Sequence, residues 1–464
     1  NKIFKKIKNK KYSLNSINLI LKEIDNIATL QLYDFIDADV EESITGNNRI
    51  NFNFKIKDST KFYVERINIF GNYNTIEEVI RNKLIVDEGD PLNPLLFSKS
   101  LDNIRSLGIF KKVETKVYDG SNENLKIVDL IVEEQPTGEI AAGAGAGTNG
   151  GTIGFSVKEN NYLGKGLGVE ATATITEETF KGVFSVNNPN YNNSDKSLFA
   201  NFQAIEIDKL SNFGYKTNKT GVEVGTKFEY LNDLKLGLST SSFYEKIETD
   251  ATASARQKKQ TGDYFDTFIK FNFDYDKRNQ KFKTSDGFRS FYSLDVPLIS
   301  DNNTLKNTYS YKYFTELYDN NVTSASIYLS AVNSLSNDDV KLSERLYIPS
   351  RRLRGFQSGR VGPKDSNDYI GGNYTSVLNL TSTLPQILEN NQSTDFAIFL
   401  DVANIWGVDY DSSIDDQNKI RSAVGFGVDW FTPIGPLNFS LAAPISKAST
   451  DETETFRFNL GTTF

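Results

Sequence analysis

The 464-residue chain contains no cysteine, histidine or methionine. It can therefore build neither a disulfide framework nor a His/Cys zinc site, and it has no thiol nucleophile or imidazole base. There is no run of about 18 apolar residues, which excludes a helical membrane span. Hydrophobic residues make up only 38 % of the chain and mean hydropathy is −0.42. A net charge of −8 and a pI near 5.1 argue against a nucleic-acid partner. Aromatic residues, in contrast, are abundant, with 33 Phe and 22 Tyr. That suits the two interfacial girdles of a membrane β-barrel, and it also suits a soluble β-sandwich.

The hydrophobic period separates these alternatives. Up to about Thr137, apolar residues recur at helical spacing between short strands; beyond it they alternate every second residue. In Tyr264–Asp276 the odd positions are Phe265, Thr267, Ile269, Phe271, Phe273 and Tyr275, whereas the even ones include Asp266, Lys270, Asn272, Asp274 and Asp276. Successive strand residues point to opposite faces, so one face is apolar and the other charged. Sixteen such segments are predicted, at 138–148, 150–158, 166–176, 180–187, 197–207, 219–230, 234–247 and 264–276, then 287–297, 306–317, 323–334, 373–384, 394–406, 421–432, 435–445 and 454–464. Their lengths suit the ~9–11 residues of a tilted membrane-crossing strand, and an even number suits a bacterial barrel. The expected fold is thus a 16-stranded antiparallel transmembrane β-barrel over 137–464. Its long connection, 335–372, is expected to be ordered, with the Arg354-Gly355-Phe356 tip folded into the lumen.

The first third reads as small α+β modules. Residues 13–31 place Ile17, Ile20, Leu21, Ile24 and Ile27 on one helical stripe, followed by strands at 35–40 and 49–57. Lysines 2, 5, 6, 8, 10 and 11 read as a solvated helix face. The chain starts at Asn1 without a signal peptide and is expected to be a mature portion or fragment of something longer. Residues 61–136 form a complete β-α-α-β-β unit, with strands at 62–69, 111–118 and 125–132. Thr75-x-x-Glu78 reads as a capping box opening its first helix, and Asn93-Pro94 starts the second. Such a module either receives a peptide by strand addition at a sheet edge or serves as a spacer.

These motifs resemble the BamA family of outer-membrane assembly factors, and the wider two-partner-secretion and TamA transporters. FYVERINIFGN at 62–72, EGDPLN at 88–93 and the Pro136-Thr137-Gly138 junction resemble a polypeptide-transport-associated (POTRA) domain; residues 1–58 resemble part of a preceding one. Further likenesses are NNYLGKG at 160–166, DKRNQKFKTSDG at 276–287, RLRGFQSGRVGPKD at 352–365, FLDVANIW at 399–406 and WFTPIGPLNFSLAAPI at 430–445. The resemblance implies a non-enzymatic protein without cofactors, in the outer membrane of a Gram-negative bacterium, with POTRA domains in the periplasm. Its implied partners are unfolded outer-membrane β-barrel proteins, accessory outer-membrane lipoproteins and the lipid bilayer.

The resemblance also assigns sites. Arg354, Gly355 and Phe356 match the loop signature, and its carboxylate partner matches Asp401, which alternation places on the luminal face with Asp395. Thr381 stands where the family has a glutamate, so the pairing leans on Asp401 alone or draws on a neighbour such as Asp429. The ion pair either braces the lumen or takes part in an insertion cycle. The first barrel strand, GEIAAGAGAG, carries Gly143, Gly145 and Gly147 on one face. Glycine weakens a strand, so this one and the last strand, with Phe458, Leu460 and Phe464, are expected to form an easily parted seam. Equally, those glycines make room for the inner loop. The function expected is insertion of β-barrels through that seam; a two-partner-secretion or TamA-type polypeptide transporter is the alternative. A hydrolase lacks any convincing nucleophile–base arrangement in this sequence.

Overall fold

The computed structural model describes residues 36–45, 49–58, 62–281, 284–317, 321–384, 393–409, 413–416, 418–432 and 435–461, together with Ile17, Ile20, Leu21, Ile24 and Ile27. Those five isolated positions are helical; Ile17 and Ile20 are buried and Leu21 and Ile24 half-buried, but Ile27, expected on the same apolar stripe, is exposed. The rest of the predicted 13–31 helix, the lysine-rich start and Phe464 lie outside the described residues. The chain divides into two compact units: 1–137 with 160–166, and 138–159 with 167–464.

In the first unit, β1 (Ile36–Thr45) and β2 (Arg49–Asp58) pair as an antiparallel two-stranded sheet. A three-stranded sheet follows, from β3 (Tyr63–Phe70), β4 (Phe110–Asp119) and β5 (Leu125–Glu134). Its order is β3-β5-β4, which puts β3 and β4 at the edges and β5 at the centre. Two helices, α1 (Glu77–Arg81) and α2 (Pro94–Ser106), join β3 to β4. Ile80, Ile104, Ile109, Val113, Leu130 and Val132 form one buried cluster, and Val64, Ile67, Val86, Phe97 and Val128 form another. Pro94 opens α2 as expected, with Asn93 Oδ1 accepting from the Leu96 amide at 3.2 Å. The expected capping box at Thr75 does not form: the N-cap falls one residue later, at Ile76, which has no side-chain bond. The reason is a stronger acceptor. The Glu134 carboxylate on β5 takes the Thr75 amide at 2.7 Å and the Asn74 amide at 3.0 Å.

The second unit is a closed barrel of sixteen antiparallel strands. They are β6 (Gly138–Gly147), β7 (Gly150–Tyr162), β8 (Leu167–Thr176), β9 (Thr179–Asn188), β10 (Ser197–Lys209), β11 (Tyr215–Leu231), β12 (Leu234–Thr249) and β13 (Gly262–Asp276). Next come β14 (Gly287–Ser300), β15 (Thr304–Thr315) and β16 (Thr323–Ser334). The short hairpin β17 (Lys364–Asp365) and β18 (Asp368–Tyr369) lies inside the long connection. The barrel closes through β19 (Tyr374–Thr383), β20 (Thr394–Trp406), β21 (Arg421–Thr432), β22 (Gly435–Ser446) and β23 (Phe456–Gly461). Alternation sorts the faces: Phe265, Phe271 and Phe273 are exposed on the outer wall, while Asp266 is fully buried inside. Leu378, Leu380 and Ile398 are likewise outward, and Val377, Phe399 and Asp401 inward.

Candidate functional site

The lumen is occupied by the β16–β19 connection. Phe356 is 1 % exposed and packs with Ile348, Leu353 and Val361 of the same segment against Val377, Ala403, Ile405 and Ala423 of the inner wall. An apolar cluster inside a barrel needs such a lid, since these wall positions would otherwise face water. Gly355 has φ +87, and a Cβ there would lie 3.1 Å from Ala442 and 3.2 Å from Ala423. The tip needs glycine both for its turn and for its approach to the wall.

Arg354 meets Asp401 as a fork: Nε to Oδ2 at 2.8 Å, Nη2 to Oδ1 at 2.7 Å, with the Arg354 amide also donating to Oδ2 at 3.0 Å. Asp401 is fully buried and takes a fourth bond, from Asn379 Nδ2 at 2.8 Å. With four donors, the carboxylate's desolvation is well offset. Thr381 Oγ1 stands 3.5 Å from Arg354 Nη2, a marginal contact, and Asp429 accepts instead from Asn438 at 2.6 Å. The pairing therefore leans on Asp401. The Arg354 guanidinium also lies 3.3 Å from the centroid of the Phe399 ring, a cation–π contact that sequence alternation did not reveal.

The first and last strands pair directly and close the barrel. Among the described residues, β23 pairs with β6 at three positions, Asn459 with Gly147, Leu460 with Ala146 and Gly461 with Gly145, extended by a bond from the Thr148 amide to the Phe458 carbonyl at 3.1 Å. On its other side β6 pairs with β7 at all ten of its residues. Arg457 reaches the inner loop, so Asn459 and Gly461 share its luminal face and Phe458 and Leu460 take the other. Gly145 and Gly147, opposite Gly461 and Asn459, are luminal, as is Gly143 by alternation. A Cβ at Gly147 would fall 2.4 Å from Asn459 Oδ1 and 2.7 Å from the Phe458 carbonyl, so close strand approach requires glycine here. All three glycines line a cavity of about 680 Å³ that Arg351, Arg354 and Arg457 also line.

Other buried charges were not singled out in the sequence. Lys341 is fully buried between Glu245 of β12, at 3.1 Å, and Asp266 of β13. Arg421 and Asp451, both without exposed side-chain surface, pair at 2.9 Å. Inward parity would have flagged Asp266 and Arg421, but nothing in the spacing names partners 75 or 30 residues away.

With this architecture in hand, comparison with known proteins is decisive. The Omp85 superfamily domain profile matches residues 161–464, and the surface antigen variable number repeat, POTRA, matches 62–135. The chain belongs to the Omp85 superfamily. It is 24 % identical over 446 residues to the outer membrane protein assembly factor BamA of Neorickettsia risticii (strain Illinois), covering 93 % of this chain and 59 % of that protein. Identity to BamA of Neisseria meningitidis serogroup B (strain ATCC BAA-335 / MC58) is 22 %, covering 98 % and 63 %. The chain thus spans roughly three-fifths of the length of these relatives. The crystal structure of Haemophilus ducreyi BamA lacking POTRA domains 1–3 superposes with a TM-score of 0.81 at 22 % identity, over 98 % of this chain and 94 % of that one. CdiB from Acinetobacter baumannii shares the fold more distantly, with a TM-score of 0.55 at 12 % identity, over 100 % and 86 % of the two chains. This Omp85 protein is an outer-membrane β-barrel with a POTRA domain, from a non-enzymatic family.

Proposed function

We propose that the chain is the membrane-embedded part of a BamA-type assembly factor that inserts other β-barrels into the outer membrane through the β6–β23 seam. The observation that carries this reading is that the barrel closes through a direct β6–β23 ladder in which the β6 side is built on luminal glycines, Gly147 lying too close to Asn459 and the Phe458 carbonyl to carry a Cβ. In hydrocarbon each unsatisfied backbone group costs several kcal/mol, so a client strand must find partners before it enters lipid. Parting a glycine-rich ladder exposes such partners at reduced cost, and strand addition needs little sequence preference. The POTRA sheet offers its β4 edge to unfolded clients on the periplasmic side, since β3 already bonds the 88–92 segment, with the Val64 amide donating to the Asp90 carbonyl at 2.9 Å and the Ile67 amide to the Glu88 carboxylate at 3.0 Å. Residues 1–58 are read as part of a preceding POTRA domain, and accessory lipoproteins as partners of the assembled complex.

The test uses the absence of native cysteine. Ala146 and Leu460 are register partners, so cysteines at both positions fall within the roughly 7 Å Cα separation that a disulfide tolerates. The oxidised Ala146→Cys/Leu460→Cys protein is expected to keep its folded barrel and to stop client insertion, with recovery on reduction. Normal insertion with the bridge quantitatively formed would refute the seam. A two-partner transporter, which passes its polypeptide along the lumen, would keep working with the seam closed.

A further inference from the structure

The turn between the last two strands grips the inner loop as an added strand. Phe356 and Thr453 form an antiparallel bridge; the Gln357 amide donates to the Glu452 carbonyl at 3.0 Å, and the Glu454 amide to the Gly355 carbonyl at 3.0 Å. The Glu452 amide reaches the Arg360 carbonyl at 3.1 Å, and the Tyr369 hydroxyl donates to the Thr450 carbonyl. Asp451 organises this turn. Its carboxylate accepts from Arg421 Nε at 2.9 Å and Nη2 at 3.2 Å on β21, from the Ala448 amide at 2.6 Å within the turn, and from the Gly362 amide at 3.3 Å on the loop. One buried carboxylate thereby ties wall, turn and loop together. From the last strand itself, Arg457 donates to the Ser350 carbonyl and, at 2.6 Å, to the Phe356 carbonyl.

We infer that Asp451 and Arg457 are positioning residues for the seam: they clasp the last hairpin to the inner loop and so hold β23 in register with β6. The argument is one of relative anchorage. The β23 edge facing β6 is held by neutral backbone ladder bonds opposite glycines, whereas its luminal side and the preceding turn are fixed by buried, charge-assisted bonds to the loop. Bonds of that kind exceed neutral ladder bonds in strength. Placement of β23 beside β6 therefore depends on the loop as well as on the seam's own ladder, and displacement of the loop loosens the seam. Arg354–Asp401 secures the same tip to β20, so the loop is a common brace between wall and closing strand.

The inference rests on the seam reading for its meaning in insertion, but its test is read on the barrel alone, without a client. The rate of disulfide formation between Ala146→Cys and Leu460→Cys is compared with that of a control pair, Val428→Cys and Phe439→Cys, which are partners in the β21–β22 ladder. Asp451→Asn keeps the shape and removes the charge; Arg457→Lys keeps the charge and removes the fork. Each is expected to slow the 146–460 bridge several-fold and to leave the 428–439 bridge unchanged, with Asp451→Glu partly restoring the rate. An unchanged 146–460 rate in folded Arg457→Lys protein overturns the inference, and that variant decides the matter if Asp451→Asn fails to fold. Equal slowing of both bridges also overturns it, since that would report general loosening of the barrel.

Discussion

At the scale of single residues, the lumen is organised by carboxylates that are buried only because cations from the loop reach them. Asp401 is the clearest case, with four donors and no exposed surface. Removing one partner of such a pair leaves an uncompensated buried charge, which costs about 3–5 kcal/mol, whereas removing both does not double the loss. Arg354→Ala and Asp401→Ala are therefore expected to lower barrel stability by similar amounts, with the double variant no worse than either single one. A double-mutant cycle on heat-modifiable mobility measures this, and additive losses would rule out the coupling. Alternation alone placed Asp401 inward. The four-donor cradle was not legible, because Asn379 and Phe399 are distinguished by register across two strands and by no motif.

At the scale of elements, period 2 made the strands legible, since lipid outside and a packed lumen inside give every strand two unlike faces. The ends were less so. β11 and β12 run to 17 and 16 residues, beyond the ~9–11 that cross hydrocarbon, because outside the membrane ladder pairing persists without any hydrophobic signature. The start of α1 was misread for a related reason: a Thr-x-x-Glu pattern was outcompeted by Glu134, 59 residues away in sequence from Thr75. Glu134 also carries a pH signature. Burial raises its carboxyl pKa, but bonds from Thr75 and Asn74 outweigh that and hold it below the usual glutamate value of 4.5. A depressed folded-state pKa contributes stability that is present above the unfolded value and is lost as pH falls through the folded one. In the full chain, the protease resistance of residues 61–136 is expected to fall on acidification below about pH 4.5. Glu134→Gln should start lower at neutral pH and lose less on acidification. Identical acid profiles for the two proteins would remove Glu134 from the account.

At the scale of the whole molecule, closure and filling are separable: sixteen strands close the wall by backbone ladders, and one connection fills it. The sequence pattern disclosed the wall, because it repeats, and marked the filler only by its length and charge. Residues 336–372 carry seven cations, Lys341, Arg345, Arg351, Arg352, Arg354, Arg360 and Lys364, against five acids, Asp338, Asp339, Glu344, Asp365 and Asp368. Replacing this segment by a short turn removes the partners of Glu245, Asp266 and Asp401. It also admits water, which solvates those carboxylates, so the penalty of a buried unpaired charge does not arise. The wall should consequently stay closed, with reduced heat stability from loss of the Phe356 cluster. Its lumen should conduct ions, and with more cations than acids deleted its selectivity should shift toward cations. Planar-bilayer recording reads both properties against the full-length chain. A loop-deleted barrel that folds but conducts no more than the parent would show that the wall fills its own lumen, and the inner loop would lose its standing as the plug.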